Sequence, residues 1–310
     1  MNRLTSQEMY MRPVDLHSHT TRSDGTFSPA ELVRHAAAKG LAAVAVTDHD
    51  TAEGVAEALE TAEELAKERG TSSALSVPEV IPGVELSTEY KGRDIHIVGL
   101  FIDWKDPVFN DRLREFADAR TYRNRKMCRL LTEGGYNVPY DALEAAFPDT
   151  VITRAHFAQY LLGHGMVSSV EEVFAKLIGD DCPYFVSREK ITPDAAVRIV
   201  LEYGGVPILA HPRQYKMSDG ALRELISTLC KAGLKGIEVY YSGYGPNDTA
   251  QLSRLAEQYG LLVSGGSDFH GSRKKNLDLG TGYGRLYVPY SVLPPIRAAH
   301  EEQIKKAVDL

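Results

Sequence analysis

Two histidines, His17 and His19, stand one residue apart after a short apolar run, and Asp24 follows five residues later. In an extended segment residues i and i+2 point the same way, so a His-x-His pair offers two imidazoles to one metal ion. The same residue types recur at the edge of each later apolar run. Asp48, His49 and Asp50 follow residues 41–47, Glu85 lies within 80–86, and His96 sits at the start of 95–101. His211 follows 206–210, Glu238 lies within 236–240, and Asp268 and His270 follow 261–264. So many buried acids and imidazoles would be costly without compensation, and metal ions supply it. Asp50, with Glu53 three residues on, reads as the N-cap of the next helix. Glu238 reads as a ligand, as an acid behind the ligands, or as a structural acid. His35, His164 and His300 lie in helical or loop contexts and read as hydrogen-bonded structural residues.

Regular elements must hold these positions. Ser28 as N-cap, Pro29 at N1 and Glu31 at N3 form a capping box, and Gly40 ends that helix. Residues 51–70 read as an amphipathic helix ended by Gly70. Helix signals dominate from about 107 to 174. The alternation then resumes with a helix from Pro193, a strand at 206–210, a helix at 219–232, a strand at 236–240, a helix at 247–259 and a strand at 261–264. Strands apolar on both faces and alternating with helices predict a parallel sheet. Seven of them with no evident edge predict a closed or nearly closed TIM-like β/α barrel, with an open doubly wound sheet as the alternative. Barrel active sites lie at the carboxyl ends of the strands, where the acids and histidines would converge. The expected organisation is a barrel from 12–103 and 186–310, interrupted by a small helical insertion at 104–185 that covers the mouth.

A chain of 310 residues that is 43% hydrophobic and 25% charged has length and composition for a large core. A net charge of −7 argues against a broad basic surface for duplex nucleic acid. Three scattered cysteines suggest a reducing compartment rather than a disulfide framework. No apolar run approaches the roughly 20 residues that span a bilayer, and the first residues lack a signal-peptide core. The expectation is a cytoplasmic protein without membrane partners.

Taken in order, the motifs DLHSHTTRSDG (15–25), AVTDHDT (45–51), LAHP (209–212) and GSDFHG (266–271) resemble the PHP superfamily, the polymerase and histidinol phosphatase phosphoesterases. GVELS (83–87) and DIHIVG (94–99) supply the intermediate positions. The resemblance implies a distorted (β/α)7 barrel and a centre of three divalent transition metals: manganese, iron or zinc. It places His17, His19, Glu85 and Asp268 on one metal, Glu85, His96 and His211 on a second, and Asp24, His49 and His270 on a third. Many relatives have histidine where Asp24 stands, and an oxygen ligand suits a harder ion such as manganese or iron.

The insertion resembles that of a bacterial subgroup acting on nucleoside 3′,5′-bisphosphates and short oligonucleotides. Related enzymes act on a cyclic phosphodiester of ribose. Residues 105–135 hold eight Lys/Arg against five Asp/Glu, a net of +3 in an acidic chain. Arg120, Arg123 and Asn124 share a helical face, and Thr153, Arg154 and His156 open a helix, an arrangement suited to an anion. Arginine's planar fork can bond two phosphate oxygens at once. GTGYGR (280–285) lies between no strand and helix, so it reads as a loop and not a dinucleotide fingerprint.

The reading that follows is hydrolysis of a phosphate monoester of a small phosphorylated metabolite, foremost the 3′-phosphate of a nucleoside 3′,5′-bisphosphate. A hydroxide bridging two metals would be the nucleophile, with Glu85, Asp268 and His211 at the reacting centre. Metal binding lowers the pKa of water from 15.7 toward roughly 7. Two alternatives lie within the family: a 5′–3′ exonuclease on short oligoribonucleotides and a cyclic-phosphate phosphodiesterase. Hydrolysis of C–N or C–O bonds, as in amidohydrolase-like barrels, would call for a carbamylated lysine or another histidine spacing. A PHP-like module that only binds or regulates would have lost ligands, and all nine positions here hold competent residues.

Overall fold

Seven strands form one sheet whose spatial order is the sequence order: β1 (Val14–Asp15), β2 (Ala43–Val46), β3 (Glu79–Tyr90), β4 (Arg93–Leu100), β5 (Val206–Leu209), β6 (Gly236–Tyr241) and β7 (Leu262–Gly266). The computed structural model describes residues 12–69, 77–148, 150–179, 182–186 and 191–308. Gly70 and the first eleven residues lie outside them. Between β1 and β7, Leu16 donates to Gly265 O at 3.1 Å and Asp268 to His17 O at 2.9 Å, and Ser18 bridges Phe269 in parallel. The result is a nearly closed barrel.

The sheet is not uniformly parallel. β4 runs antiparallel to both β3 and β5. The cause is a tight hairpin at Lys91 and Gly92, where φ is 51° and 78°. Two successive left-handed residues match the twist of a two-residue hairpin, and glycine takes the second at no steric cost. Because β4 is reversed, its amino end and not its carboxyl end lies at the mouth, and His96 sits there.

Helices α1 (Pro29–Ala38), α2 (Gly54–Arg69), α7 (Pro193–Glu202), α8 (Asp219–Ala232) and α9 (Pro246–Tyr259) pack on the outer wall, and α10 (Leu293–Val308) follows β7. The Ser28 capping box forms as expected. Side chains alternate along the strands. Val44 and Val46 join the helices' apolar residues in one cluster, whereas Ala43, Ala45, Val98 and Ile208 join Leu16 in the barrel interior.

Between β4 and β5 the chain forms α3 (Pro107–Glu133), α4 (Tyr140–Ala146), α5 (Arg154–Gly163) and α6 (Val170–Lys176). Phe109 and Leu113, near the start of α3, belong to the barrel's outer core. Met127, Cys128 and Leu131, near its end, belong to a third cluster with Leu143, Phe157, Leu161 and Val173. One long helix thus links two cores.

Candidate metal centre

Beyond β1 the chain stays extended through His19. Ser18 turns away, its hydroxyl donating to Ala45 O at 2.5 Å, so His17 and His19 fall on the opposite side with ring centroids 5.2 Å apart. Behind them Asp15 accepts N–H bonds from His17, Ser267 and Gly280. The GTGYGR loop therefore braces the first strand from below. Asp48 accepts from the Thr20 N–H and hydroxyl and from the Ser23 hydroxyl. That grip bends residues 20–24 so that Asp24 returns to the histidines.

The nine expected ligand positions meet in one cluster, eight of them buried and His96 half-buried. Glu85 is at its middle, with Oε2 at 3.3 Å from His17 Nε2, 3.2 Å from His19 Nε2 and 3.0 Å from His49 Nδ1. Its Oε1 lies 2.9 Å from His96 Nδ1 and 3.0 Å from His211 Nε2. Asp24 Oδ1 is 3.2 Å from His270 Nε2 and 3.8 Å from His19 Nδ1. Asp268 Oδ1 is 3.3 Å from both His19 Nε2 and His270 Nδ1. Ligand atoms fall into four overlapping groups, each within 4.8 Å: His19, Asp24, His49 and His270; His17, Glu85 and His211; His17, His19 and Asp268; His49, Glu85 and His96. His49 thus touches both the Glu85 and the Asp24 sides, where the resemblance assigned it to one.

The donor set fits cations. His17 Nε2, both ring nitrogens of His19, Asp24 Oδ1, His49 Nδ1 and His211 Nδ1 are buried without a hydrogen-bond partner. Buried polar atoms with no partner are expensive, and a metal ion would satisfy them. Burial favours neutral carboxyls, yet the facing imidazoles of His17, His49 and His96 outweigh it and hold Glu85 well below the ordinary range. Burial lowers His49 to about 3. His19, despite burial, is raised to about 9 by Asp268 and Glu85. Burial thus keeps His49 neutral, while the carboxylates hold a proton on His19.

Glu238 stands behind the cluster. Its Oε1 lies 2.9 Å from His17 Nδ1, and its Oε2 accepts the His211 N–H at 2.6 Å. A donor at His17 Nδ1 leaves Nε2 free, so Glu238 fixes the His17 ring with Nε2 aimed into the cluster. Asp268 divides its oxygens: Oδ1 faces the histidines, while Oδ2 accepts the Tyr241 hydroxyl at 2.8 Å and the Lys274 ammonium. Sequence reading passed over Tyr241, which ends β6 but is not a usual metal ligand, and Lys274, which lies in the loop beyond β7. Asp50 is a correction. It does not cap α2, which starts at Gly54. It adopts φ 54°, accepts the Ser87 N–H at 2.9 Å, and pairs with Arg120. The isolated histidines behave as expected, with His35 on Asp278, His164 on Tyr160 O and His300 on Gly204 O.

The insertion meets the centre directly. Thr153 donates its hydroxyl to Asp24 Oδ2 at 3.0 Å. A cavity of about 220 Å³ is lined by Asp24, His49 and His96 on one side and by Arg120, Arg123, Thr153 and Arg154 on the other. Arg154 pairs with Asp94 at 2.5 Å and lies over the Phe185 ring. His156 accepts the Thr153 N–H at Nδ1, and burial with the charge of Arg273 lowers it to about 3. It is neutral at pH 7 and offers an anion no charge. Asn124 does not line the cavity; its amide donates to Ile152 O at 2.9 Å and joins α3 to the segment before α5.

A family model described as the PHP domain matches residues 15–180. This chain belongs to the PHP family. It is 37% identical to a 5′–3′ exoribonuclease of Haemophilus influenzae, across 86% of this chain and 94% of that protein. It is 34% identical to a 3′,5′-nucleoside bisphosphate phosphatase of Chromobacterium violaceum, across 87% and 91%. A solved structure from Chromobacterium violaceum, described as an amidohydrolase with bound sulfate and no metal, superposes with a TM-score of 0.79 at 31% identity over 94% of this chain and 96% of that one. Family and site together make the chain a metal-dependent phosphoester hydrolase. Among the described residues no helix is long and apolar enough to cross a membrane.

Proposed function

We propose that this PHP enzyme removes the 3′-phosphate of nucleoside 3′,5′-bisphosphates, with three divalent transition metals held by His17, His19, Asp24, His49, Glu85, His96, His211, Asp268 and His270. One observation carries the substrate: metal-side residues Asp24, His49 and His96 and the arginines Arg120, Arg123 and Arg154 line the same small cavity. The metal ligands account for one phosphate, and the arginines face the place of a second. The ions would supply Lewis acidity at the scissile phosphate and an activated water. Glu85, with imidazoles against both of its oxygens, would hold them with both. Asp268, held at Oδ2 by Tyr241 and Lys274, presents Oδ1 alone. Asp24 as an oxygen ligand supports manganese or iron at its position. Arg120, Arg123 and Arg154 would hold the 5′-phosphate through charge-assisted bonds, and that remote binding energy would position the 3′-phosphate. The insertion of residues 104–185 serves as the part that carries this second-phosphate site and limits water at the mouth.

The deciding experiment compares a 3′,5′-bisphosphate with the matching 3′-monophosphate in wild type and Arg154→Ala. The wild type is expected to favour the bisphosphate in kcat/KM, and Arg154→Ala to lose most of that preference with its metals retained. Equal rates on both substrates in the wild type would overturn the assignment. Faster cleavage of a 5′-phosphorylated oligoribonucleotide than of either mononucleotide would favour the exoribonuclease reading instead.

A further inference from the structure

The metal-side cavity has a larger neighbour of about 630 Å³, lined by Arg22, Asp50, Trp104, Asn110 and Arg114 among others. One wall divides the two. Asp50 faces the larger cavity, while Ser87 and Arg120 line the smaller. The Nη2 of Arg120 donates to both Asp50 Oδ2 and Ser87 Oγ, the latter at 2.9 Å. Its Nε is buried without a partner, and its Nη1 makes no hydrogen bond among the described residues. One nitrogen of the fork is therefore anchored to the protein, and the side chain lines the smaller cavity.

Asp50 is itself fixed from several sides. It is 1% exposed, its backbone adopts φ 54°, its N–H donates to Glu85 O at 3.0 Å, and its Oδ1 accepts the Ser87 N–H. A left-handed non-glycine residue persists only where its surroundings over-determine it. We propose that Asp50 is a positioning residue that aims Arg120 at the non-reacting phosphate and so sets the preference for bisphosphate over monophosphate. Three links support it. The carboxylate restrains a side chain otherwise rich in rotamers, which lowers the ordering cost of binding. It offsets the buried guanidinium charge when no anion is bound. It ties the arginine of α3 to the loop after β2 and to β3, so the second-phosphate position is registered against Glu85.

The inference rests on the reading of the cavity as a two-phosphate site. The test measures kcat and KM for a 3′,5′-bisphosphate and the matching 3′-monophosphate in the metal-loaded wild type, Asp50→Asn, Arg120→Ala and the double variant, with metal content determined on each sample. Asp50→Asn is expected to raise the bisphosphate KM about tenfold or more, with a much smaller change for the monophosphate and with metal content retained. Added to Arg120→Ala, it should cost little further, because the arginine through which it acts is gone. An equal loss on both substrates, a loss of metal, or effects of the two substitutions that simply multiply would overturn the proposal. Should Asp50→Asn fail to fold, Arg120→Lys decides. A lysine keeps the charge but cannot use the anchored fork, so loss of the preference supports the proposal and retention overturns it. A wild type with no preference for the bisphosphate overturns the two-phosphate reading as well. A wild-type preference that survives Asp50→Asn overturns only the role of Asp50.

Discussion

Asp268 shows how individual side chains share the work of the centre. Burial would raise its carboxyl, but Lys274 and His270 outweigh burial and hold it well below the ordinary range. Oδ2 is committed to Tyr241 and Lys274, which leaves Oδ1 as the oxygen aimed at the histidines. Loss of a partner that orients a ligand typically costs roughly 10- to 100-fold in metal affinity. Tyr241→Phe is therefore expected to weaken metal binding by about that factor in a calorimetric titration of metal-free protein, with little change in thermal midpoint. Unchanged affinity would assign the phenol to packing. His156 makes a second case. Its folded pKa is about 3, through burial first and Arg273 next, against about 6.5 when unfolded. As pH falls from about 6.5 toward about 3, the unfolded chain takes up a proton that the folded one does not, so this residue's contribution to stability is present above about pH 6.5 and lost on acidification. The slope is at most about 1.4 kcal/mol per pH unit. His156→Gln keeps an acceptor for the Thr153 N–H and removes the titration. Urea midpoints measured from pH 7 to pH 4 should fall less steeply for the variant, and parallel curves would refute the assignment. Eight of the nine converging acids and imidazoles could be read from the sequence because they lie in or just beyond an apolar run, and Asp24 because it follows the His-x-His pair closely. The roles of Tyr241 and Lys274 and the pairing of Glu238 with His17 could not: the fold sets Tyr241 of β6 and the loop residue Lys274 against Asp268, and barrel closure joins Glu238 to His17 across 221 positions, and no local pattern records either.

At the scale of elements, the chain after β1 and the end of β7 pack closely against each other beneath the centre. A Cβ on Gly266 would lie 2.4 Å from His17 Cβ and 2.5 Å from His17 N. Neither atom can yield without moving the strand that carries both histidines. Gly266→Ala is expected to destabilise the fold by about 1–3 kcal/mol, as overpacking does, and to lower bound metal by displacing His17. Denaturant titration and elemental analysis of the same preparation would check both; a stable variant with full metal content would contradict the packing argument. The strand at β4 was found by its apolar run, yet its direction was misread. Apolar side chains on both faces report burial, and burial is the same for either direction. The signal that settles direction is the Lys91-Gly92 turn, whose left-handed conformations close a hairpin. The reversal leaves the site intact because His96 stands at the amino end of its strand, where a reversed strand meets the mouth. Asp50 was misread for a related reason. An acid three residues before Glu53 fits a capping box, but its partners Ser87 and Arg120 lie 37 and 70 positions away.

The molecule as a whole has cores that are connected but not merged. The apolar cluster of Met127, Leu131, Leu143, Phe157, Leu161 and Val173 is separate from both barrel clusters. Polar links hold it to the mouth. Val151 donates its N–H to Arg22 O at 3.2 Å, Thr150 its hydroxyl to Ser23 O, Thr153 to Asp24, Arg120 to Asp50, and Arg154 to Asp94. Apolar burial supplies most of the free energy that makes a unit cooperative, whereas polar links near a wet mouth contribute only modestly. The insertion is therefore expected to open as a unit, at a free energy below that of global unfolding. In native-state hydrogen exchange, the amides of Leu131, Leu161 and Val173 should share one opening free energy. Val44, Ile97 and Ile208 in the barrel should show a higher one. The first half of α3 should follow the barrel, because Phe109 and Leu113 pack there, so the boundary is expected to fall inside that helix. Chelation of the metals should bring the insertion's opening free energy down further. Thr153 bonds Asp24, and an Asp24 no longer fixed by a cation gives that link a less rigid anchor. Equal protection across insertion and barrel would show instead that the links couple the two cores into one cooperative fold.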